Sequence, residues 1–340
     1  MKAAALTAPG SFAVIDLPDP TTADGVIVEM RAAGVCGTEL HFLDGMIPPP
    51  SFPFVLGHEG AGVVLDSPVG SPILKGDRVA IYNLIACGKC HWCNTGREEV
   101  CPQAIGQLGF NLDGTFRDFV SVPENNLIVL PENVSFEDAA LLSCSGMTAV
   151  HVTRLANVRL GDVAVVNGIG GVGLMVIQTC VAAGATVIGI SDSETKADLA
   201  RAAGADSVIV LGPEGYESVP EAIRQLTGGV GAHHYFELVG TSASICAGIR
   251  GLARHGAVVL IGYTAENIDI HPIELILTET RILSSVAASR DDLVTALKLA
   301  ARGSLKSTID TRYPLGEVGT AFERLRQRSV LGRNVLTWGT

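Results

Sequence analysis

The sequence predicts an α/β chain of two domains, one β-rich and one a doubly wound parallel sheet. Two observations carry this. From about residue 140, short apolar runs alternate with helical segments that each end at glycine, the pattern of parallel strands flanked by helices. Before that point, short strand candidates are broken by Gly and Pro, as in a compact β-rich fold. The length of 340 residues suits two domains at about 100–200 residues each. With 47% apolar and 17% charged residues, the chain has a folding composition.

In order, Val26–Met30, Val63–Leu65 and Arg78–Ile81 read as strands. Pro48–Pro50 and Phe52-Pro53 form a stiff loop between them. In the second half, strands are predicted at 163–166, 186–190, 207–210, 234–238 and 257–261. Helices are predicted at 172–183, 194–203, 219–227, 242–252 and 291–302. The tail from about 309 reads as strands and turns that rejoin the first domain.

Charge excludes one class of partner. A formal net charge of −11 offers no broad basic surface for a phosphate backbone, so no nucleic-acid partner is expected. Residues 163–191 carry no charge, but six glycines break them. A strand, a tight turn and a buried helix explain them better than a membrane span. The apolar run at the N-terminus is too short for a signal peptide, and a cytoplasmic protein is expected.

Val163–Asn167 runs into Gly168-Ile-Gly170-Gly171-Val172-Gly173 and then a helix. In that context Gly-x-Gly-x-x-Gly predicts dinucleotide binding: Gly168 for the turn, Gly170 for approach of a pyrophosphate, Gly173 for helix–strand packing. The following strand ends at Ser191-Asp192. Serine at the tip leaves room for a 2′-phosphate, yet Asp192 and Glu194 would repel it, and Lys196 is the only nearby cation before Arg201. NAD is the expected cofactor, with NADP as the alternative.

Of 8 cysteines, Cys87, Cys90, Cys93 and Cys101 lie within fifteen residues. With no sign of secretion, they read as a metal site before disulfides. A closed tetrahedral zinc is favoured. The rival is an iron–sulfur cluster, although seven residues precede Cys101 where the ferredoxin run has three. Cys36, His58 and Cys144 form a second set. Each alone reads as core; together they make three ligands with one open position, the catalytic zinc pattern, with Glu59 beside them. Cys180 and Cys246 read as core.

With Gly34-Val-Cys36-Gly-Thr38-Glu39-Leu-His41, Gly57-His58-Glu59-Gly60-Ala-Gly62, the four-cysteine lobe, Cys144-Ser-Gly-Met-Thr148 and the glycine loop in this order, the chain resembles the zinc-dependent medium-chain alcohol dehydrogenases over nearly its whole length. The resemblance implies a GroES-like catalytic domain from residues 1–145 and 287–340, with a structural zinc lobe at about 83–105, around a Rossmann domain at 146–286. It assigns a catalytic zinc to Cys36, His58 and Cys144 and a proton relay to Thr38 and His41. It places Leu238 and Ile261 beneath the nicotinamide and Arg333 at the pyrophosphate. It draws the substrate pocket from Ile47, Asn83, Leu84, Phe110, Tyr263 and Val286.

Two departures stand out: Glu39 where Asp is usual, and Ser191 where an acid is usual. Cys144, where polyol-acting relatives carry Glu, points to simple alcohols or aldehydes. The implied function is zinc-dependent interconversion of an alcohol and an aldehyde or ketone by hydride transfer to NAD(P). It would use two zinc ions per chain in a homodimer or homotetramer. The alternatives are a zinc-free alkene or quinone reductase and a non-catalytic binder of the same fold. The joint presence of Cys36, His58 and Cys144 argues against the first, and the intact relay with both zinc sets argues against the second.

Overall fold

The computed structural model describes residues 1–339. It contains two compact units, one of Met1–Met147 joined by the segment from Ser289 onward, the other of Thr148–Ala288.

In the second unit, six parallel strands form one sheet in the order 207–210, 186–191, 163–167, 232–237, 252–260, 281–284. Val163–Asn167 is almost wholly buried, as expected of a central parallel strand covered on both faces. The strand order reverses between 163–167 and 232–237, so their carboxyl ends open the crevice where such sheets bind ligands. The helices Gly171–Ala182, Glu194–Ala202, Val219–Leu226 and Ser242–Arg250 lie between the strands. Side-chain caps start two of them: Ser193 accepts from the Lys196 N–H and Thr241 from the Ser244 N–H. Most boundaries fall within two residues of expectation. The strand expected at 257 begins at Leu252 instead. An irregularity in its pairing between Ala232 and His234, with His255 at φ 62°, disguises the early start in the sequence.

In the first unit, a seven-stranded sheet is built around the strand Val26–Val35, ten residues long. That strand pairs with Ala61–Asp66, Phe119–Val122 and, from the far end of the chain, Arg333–Thr337. The tail strands Ile309–Tyr313 and Arg333–Thr337 are parallel, with a helix at Val318–Arg326 between them. The expectation of strands and turns alone missed that helix, although Val318, Ala321, Phe322 and Leu325 carry a helical apolar period. Phe322, Tyr313 and Leu336 join Val28, Met30, Phe54 and Phe116 in one core. Further helical stretches escaped the sequence, among them Thr38–Leu43, and Phe136–Leu141 running through a π-helical turn at Leu142–Gly146 into Met147–Ala156.

Candidate functional site

The strand Val26–Val35 delivers the chain to Cys36, and the short helix Thr38–Leu43 follows at once. His58 and Glu59 occupy the buried turn before the strand Ala61–Asp66. Cys144 lies in the π-helical turn, a distortion that recurs at functional sites because it re-aims a side chain. These segments bring Cys36, His58, Glu59 and Cys144 together, with one ligand atom from each lying within 4.8 Å of the others.

Their neighbours orient them. Glu39, almost fully buried, accepts from the Cys36 backbone N–H through Oε2 at 2.8 Å and faces His58 Nδ1 through Oε1 at 2.7 Å. With a proton held on Nδ1, the Nε2 lone pair points into the cluster, 3.4 Å from Cys144 Sγ. The longer acid where Asp is usual thus reaches both ligands. Thr38 Oγ1 lies 3.6 Å from Cys36 Sγ. Asn83 donates to the His58 carbonyl at 2.9 Å, so its amide supports the ligand loop. Phe110 packs its ring 5.3 Å from that of His58 and edge-on to Phe42, an apolar wall beside the cluster. Gly34 leaves the room Glu59 occupies, since a Cβ there would overlap Glu59 Oε2.

The electrostatics are those of a buried site built for a cation. The Cys144 contact holds the Cys36 thiol well below its usual pKa, helped by Arg333 and His58 against burial. The same contact, with burial, pushes Cys144 well up. Burial pushes Glu59 up to about 7 even with the Arg333 guanidinium beside it. Burial opposes charge on His58, but Glu39 and Cys36 together outweigh it and raise the pKa well above the usual value. Glu59 Oε2 has no hydrogen-bond partner among the described residues. Two thiols, an oriented imidazole and an orphaned carboxylate oxygen fit a zinc ion. Arg333, carried over as a phosphate contact, is buried with its guanidinium on Glu59 Oε1, while its Nε has no partner among the described residues.

The other four cysteines also converge. Cys90 Sγ lies 3.5 Å from Cys93 Sγ and 3.7 Å from Cys101 Sγ, and Cys87 lies 3.8 Å from Cys93. Tetrahedral Zn–S bonds of about 2.3 Å place sulfurs roughly 3.8 Å apart, so the spacing fits one ion. An iron–sulfur cluster, whose thiolates bind different irons, would spread them further. All eight cysteines are free thiols.

In the second unit, the glycine loop meets the three demands set for it. Gly168 turns at φ 103°. Nothing lies within 4 Å of a Cβ built on Gly170, and one on Gly173 would strike the Gly168 carbonyl. The helix Gly171–Ala182 starts with no acidic residue in its first turn, and the N–H groups of Gly171, Val172 and Gly173 precede its hydrogen-bond ladder. Together these fit a dinucleotide pyrophosphate. Leu238 and Ile261 follow the neighbouring strand ends, their N–H groups donating to the Asn167 and Glu237 carbonyls. Ser191 is buried, with its hydroxyl donating to the Ser193 carbonyl at 2.8 Å. The acid that projects at this tip is Asp192, paired with Lys196 at 2.9 Å.

The sequence reading gave Glu39 only as a departure from the family pattern and Asn83 only as a pocket residue, and missed that both hold the His58 ligand loop; Glu39 carried a signal, as an acid three residues after a candidate ligand. The helices of the described residues include none long and apolar enough to cross a membrane.

Residues 22–132 match the family described as alcohol dehydrogenase GroES-like domain, and residues 171–302 match zinc-binding dehydrogenase. An alcohol dehydrogenase of Geobacillus stearothermophilus is 32% identical over 92% of this chain and 91% of its own. An NAD-dependent alcohol dehydrogenase of Sulfurisphaera tokodaii is 31% identical over 95% and 94%. The crystal structure of the alcohol dehydrogenase from Aeropyrum pernix superposes with a TM-score of 0.91 at 30% identity, over 99% of this chain and 100% of that one. With both halves matched and relatives aligned nearly end to end, the chain belongs to the zinc-containing alcohol dehydrogenase family of the medium-chain dehydrogenase/reductase superfamily.

Proposed function

We propose that this chain interconverts an alcohol and an aldehyde or ketone, with NAD as hydride carrier and two zinc ions per chain. One observation carries the reading: the buried convergence of Cys36, His58, Glu59 and Cys144, with Glu39 holding the His58 tautomer that leaves Nε2 free to bind. Cys36, His58 and Cys144 would hold the catalytic ion and Glu59 the neighbouring position; Cys87, Cys90, Cys93 and Cys101 would hold the structural one. When bound, the metal supplies Lewis acidity to a substrate oxygen and the nicotinamide supplies the hydride acceptor.

The remaining work belongs to side chains. The Thr38 hydroxyl, beside Cys36 Sγ, takes the proton leaving the alcohol, and His41, three residues along the same helix, carries it onward. Phe110 keeps water from the His58 face. Arg333, paired with Glu59, offsets the negative charge that the thiolates and that carboxylate bring to the site. The N–H groups from Gly171 to Gly173 hold the pyrophosphate. With Ser191 turned inward, Asp192 is the acid available to the ribose hydroxyls, and its charge disfavours a 2′-phosphate.

A second copy of the chain is the expected partner. Arg281–Ser284 is an open edge of the parallel sheet, and Ile282 on it and Ile273, Ile276 and Leu277 before it are exposed. An apolar edge of this kind calls for cover.

The test is metal analysis joined to an alcohol screen. Protein purified without added metal should carry about two zinc ions and no iron, and Cys36→Ser should lose one zinc together with alcohol-dependent reduction of NAD. A single zinc that survives Cys36→Ser would leave the zinc-free reductase or the binder.

A further inference from the structure

One buried acid in the second unit lies outside every role assigned so far. Glu237 is fully buried at the end of the strand Ala232–Glu237. Its Oε1 accepts from the N–H groups of Val239 at 2.7 Å and Gly240 at 2.8 Å. Its Oε2 accepts from Asn167 Nδ2 at 2.9 Å. Asn167, also buried, is the residue directly before Gly168, and its Oδ1 accepts from the Tyr216 hydroxyl at 3.3 Å. The Glu237 carbonyl accepts from Ile261 and Gly262. Gly240 and Gly262 let two of these loops touch backbone to backbone: a Cβ on Gly240 would strike Tyr263, and one on Gly262 would strike Leu238.

We infer that Glu237 is a positioning residue for the dinucleotide. One side chain ties the glycine loop to the 238–240 loop, and its own main chain ties both to 261–262. These are the three carboxyl-end segments that line the ligand crevice. The inference rests on the dinucleotide reading above. An acceptor is needed because three donors, those of Gly240 and Asn167 buried and that of Val239 half-buried, converge on one carboxylate, and a buried donor without an acceptor is costly. Burial pushes the Glu237 carboxyl up against the lowering effect of the Gly240 N–H, the Asn167 amide, the Val239 N–H and, least, the Ser244 hydroxyl, so what the network demands is acceptor geometry more than charge.

That distinction makes a specific forecast. In Glu237→Gln, the amide oxygen takes the Val239 and Gly240 N–H groups and the new NH2 faces Asn167. Asn167 then turns its amide over to present oxygen, and its own NH2 faces Tyr216, whose hydroxyl accepts as well as donates. Every group stays satisfied. In Glu237→Ala, all three donors are stranded.

The experiment is NADH titration by fluorescence, with zinc content, thermal midpoint and the kcat and KM for NAD measured alongside. Glu237→Ala should raise the NADH Kd about 10–100-fold, with KM for NAD rising in step and kcat at saturating NAD little changed. Glu237→Gln should restore binding to within about threefold, and adding Tyr216→Phe to it should undo the rescue, since the turned amide then lacks an acceptor. If Glu237→Ala does not fold, Asn167→Ala removes the glycine-loop arm alone and should raise the Kd about tenfold. A folded Glu237→Ala or Asn167→Ala that binds NADH like the native chain overturns the inference. So does a Glu237→Gln as weak as the alanine variant. A native chain that binds no dinucleotide overturns the underlying reading instead.

Discussion

Glu39 holds a thiol ligand by its backbone and an imidazole ligand by its ring, with one carboxylate. Removing such a support typically costs 10–100-fold in metal affinity. Glu39→Ala should therefore lose zinc to a chelator competition that the native chain resists, with the four-cysteine ion unaffected. Thr38→Ala should keep full zinc content, since the hydroxyl is no ligand in the proposed set, yet lower turnover about 10²–10⁴-fold; unchanged turnover would remove Thr38 from the relay. The candidate ligands were legible one by one only because a family pattern joined them. Their spacing follows no local period, and His58 meets Glu39 only because two separate segments fold against each other. The pairing of Glu59 with Arg333, 274 residues later, has no local signal at all.

At the scale of elements, what could be read followed from repetition. Strand and helix alternate in the second unit, with glycine just after the helices that end at Ala182, Ala202, Leu226 and Arg250, and the observed parallel sheet follows. The first unit has no such rhythm. The turn carrying Cys144 reads Leu-Ser-Cys-Ser-Gly, and nothing in it announces a π turn. Tertiary ties between elements supply two tests. Glu98, between Cys93 and Cys101, accepts from the Arg290 N–H at 2.6 Å and so extends the cap of the helix Arg290–Ala301. Glu98→Ala should destabilise the chain by about 1 kcal/mol, read as a lower urea midpoint. Asp310 links the strand Ile309–Tyr313 to the helix Val318–Arg326. Burial works against its charge, but Thr311, the Leu331 N–H and Arg324 hold its pKa below the usual value. Its stabilisation is therefore complete above the ordinary carboxylate pKa of about 4 and is lost as pH falls through the depressed value. Asp310→Asn should have a lower urea midpoint than the native chain at neutral pH, and the two should converge in acid.

For the whole molecule, the exposed apolar edge makes the assembly testable. Light scattering should report a dimer or tetramer, and Ile282→Lys should shift it to smaller species without loss of zinc. The order in which the molecule is made matters too. The central strand of the first unit, Val26–Val35, finds its neighbour Arg333–Thr337 only at the end of the chain. At about 5–20 residues per second, Arg333 leaves the ribosome roughly 15–55 s after Glu59, since 274 residues separate them. For the last roughly 10–40 s of that interval, after Cys144 is made, Cys36, His58, Glu59 and Cys144 all exist while the arginine that neutralises Glu59 does not. A nascent chain in that state can take up a cation before its sheet closes, so metal supply during translation bears on how many chains finish loaded.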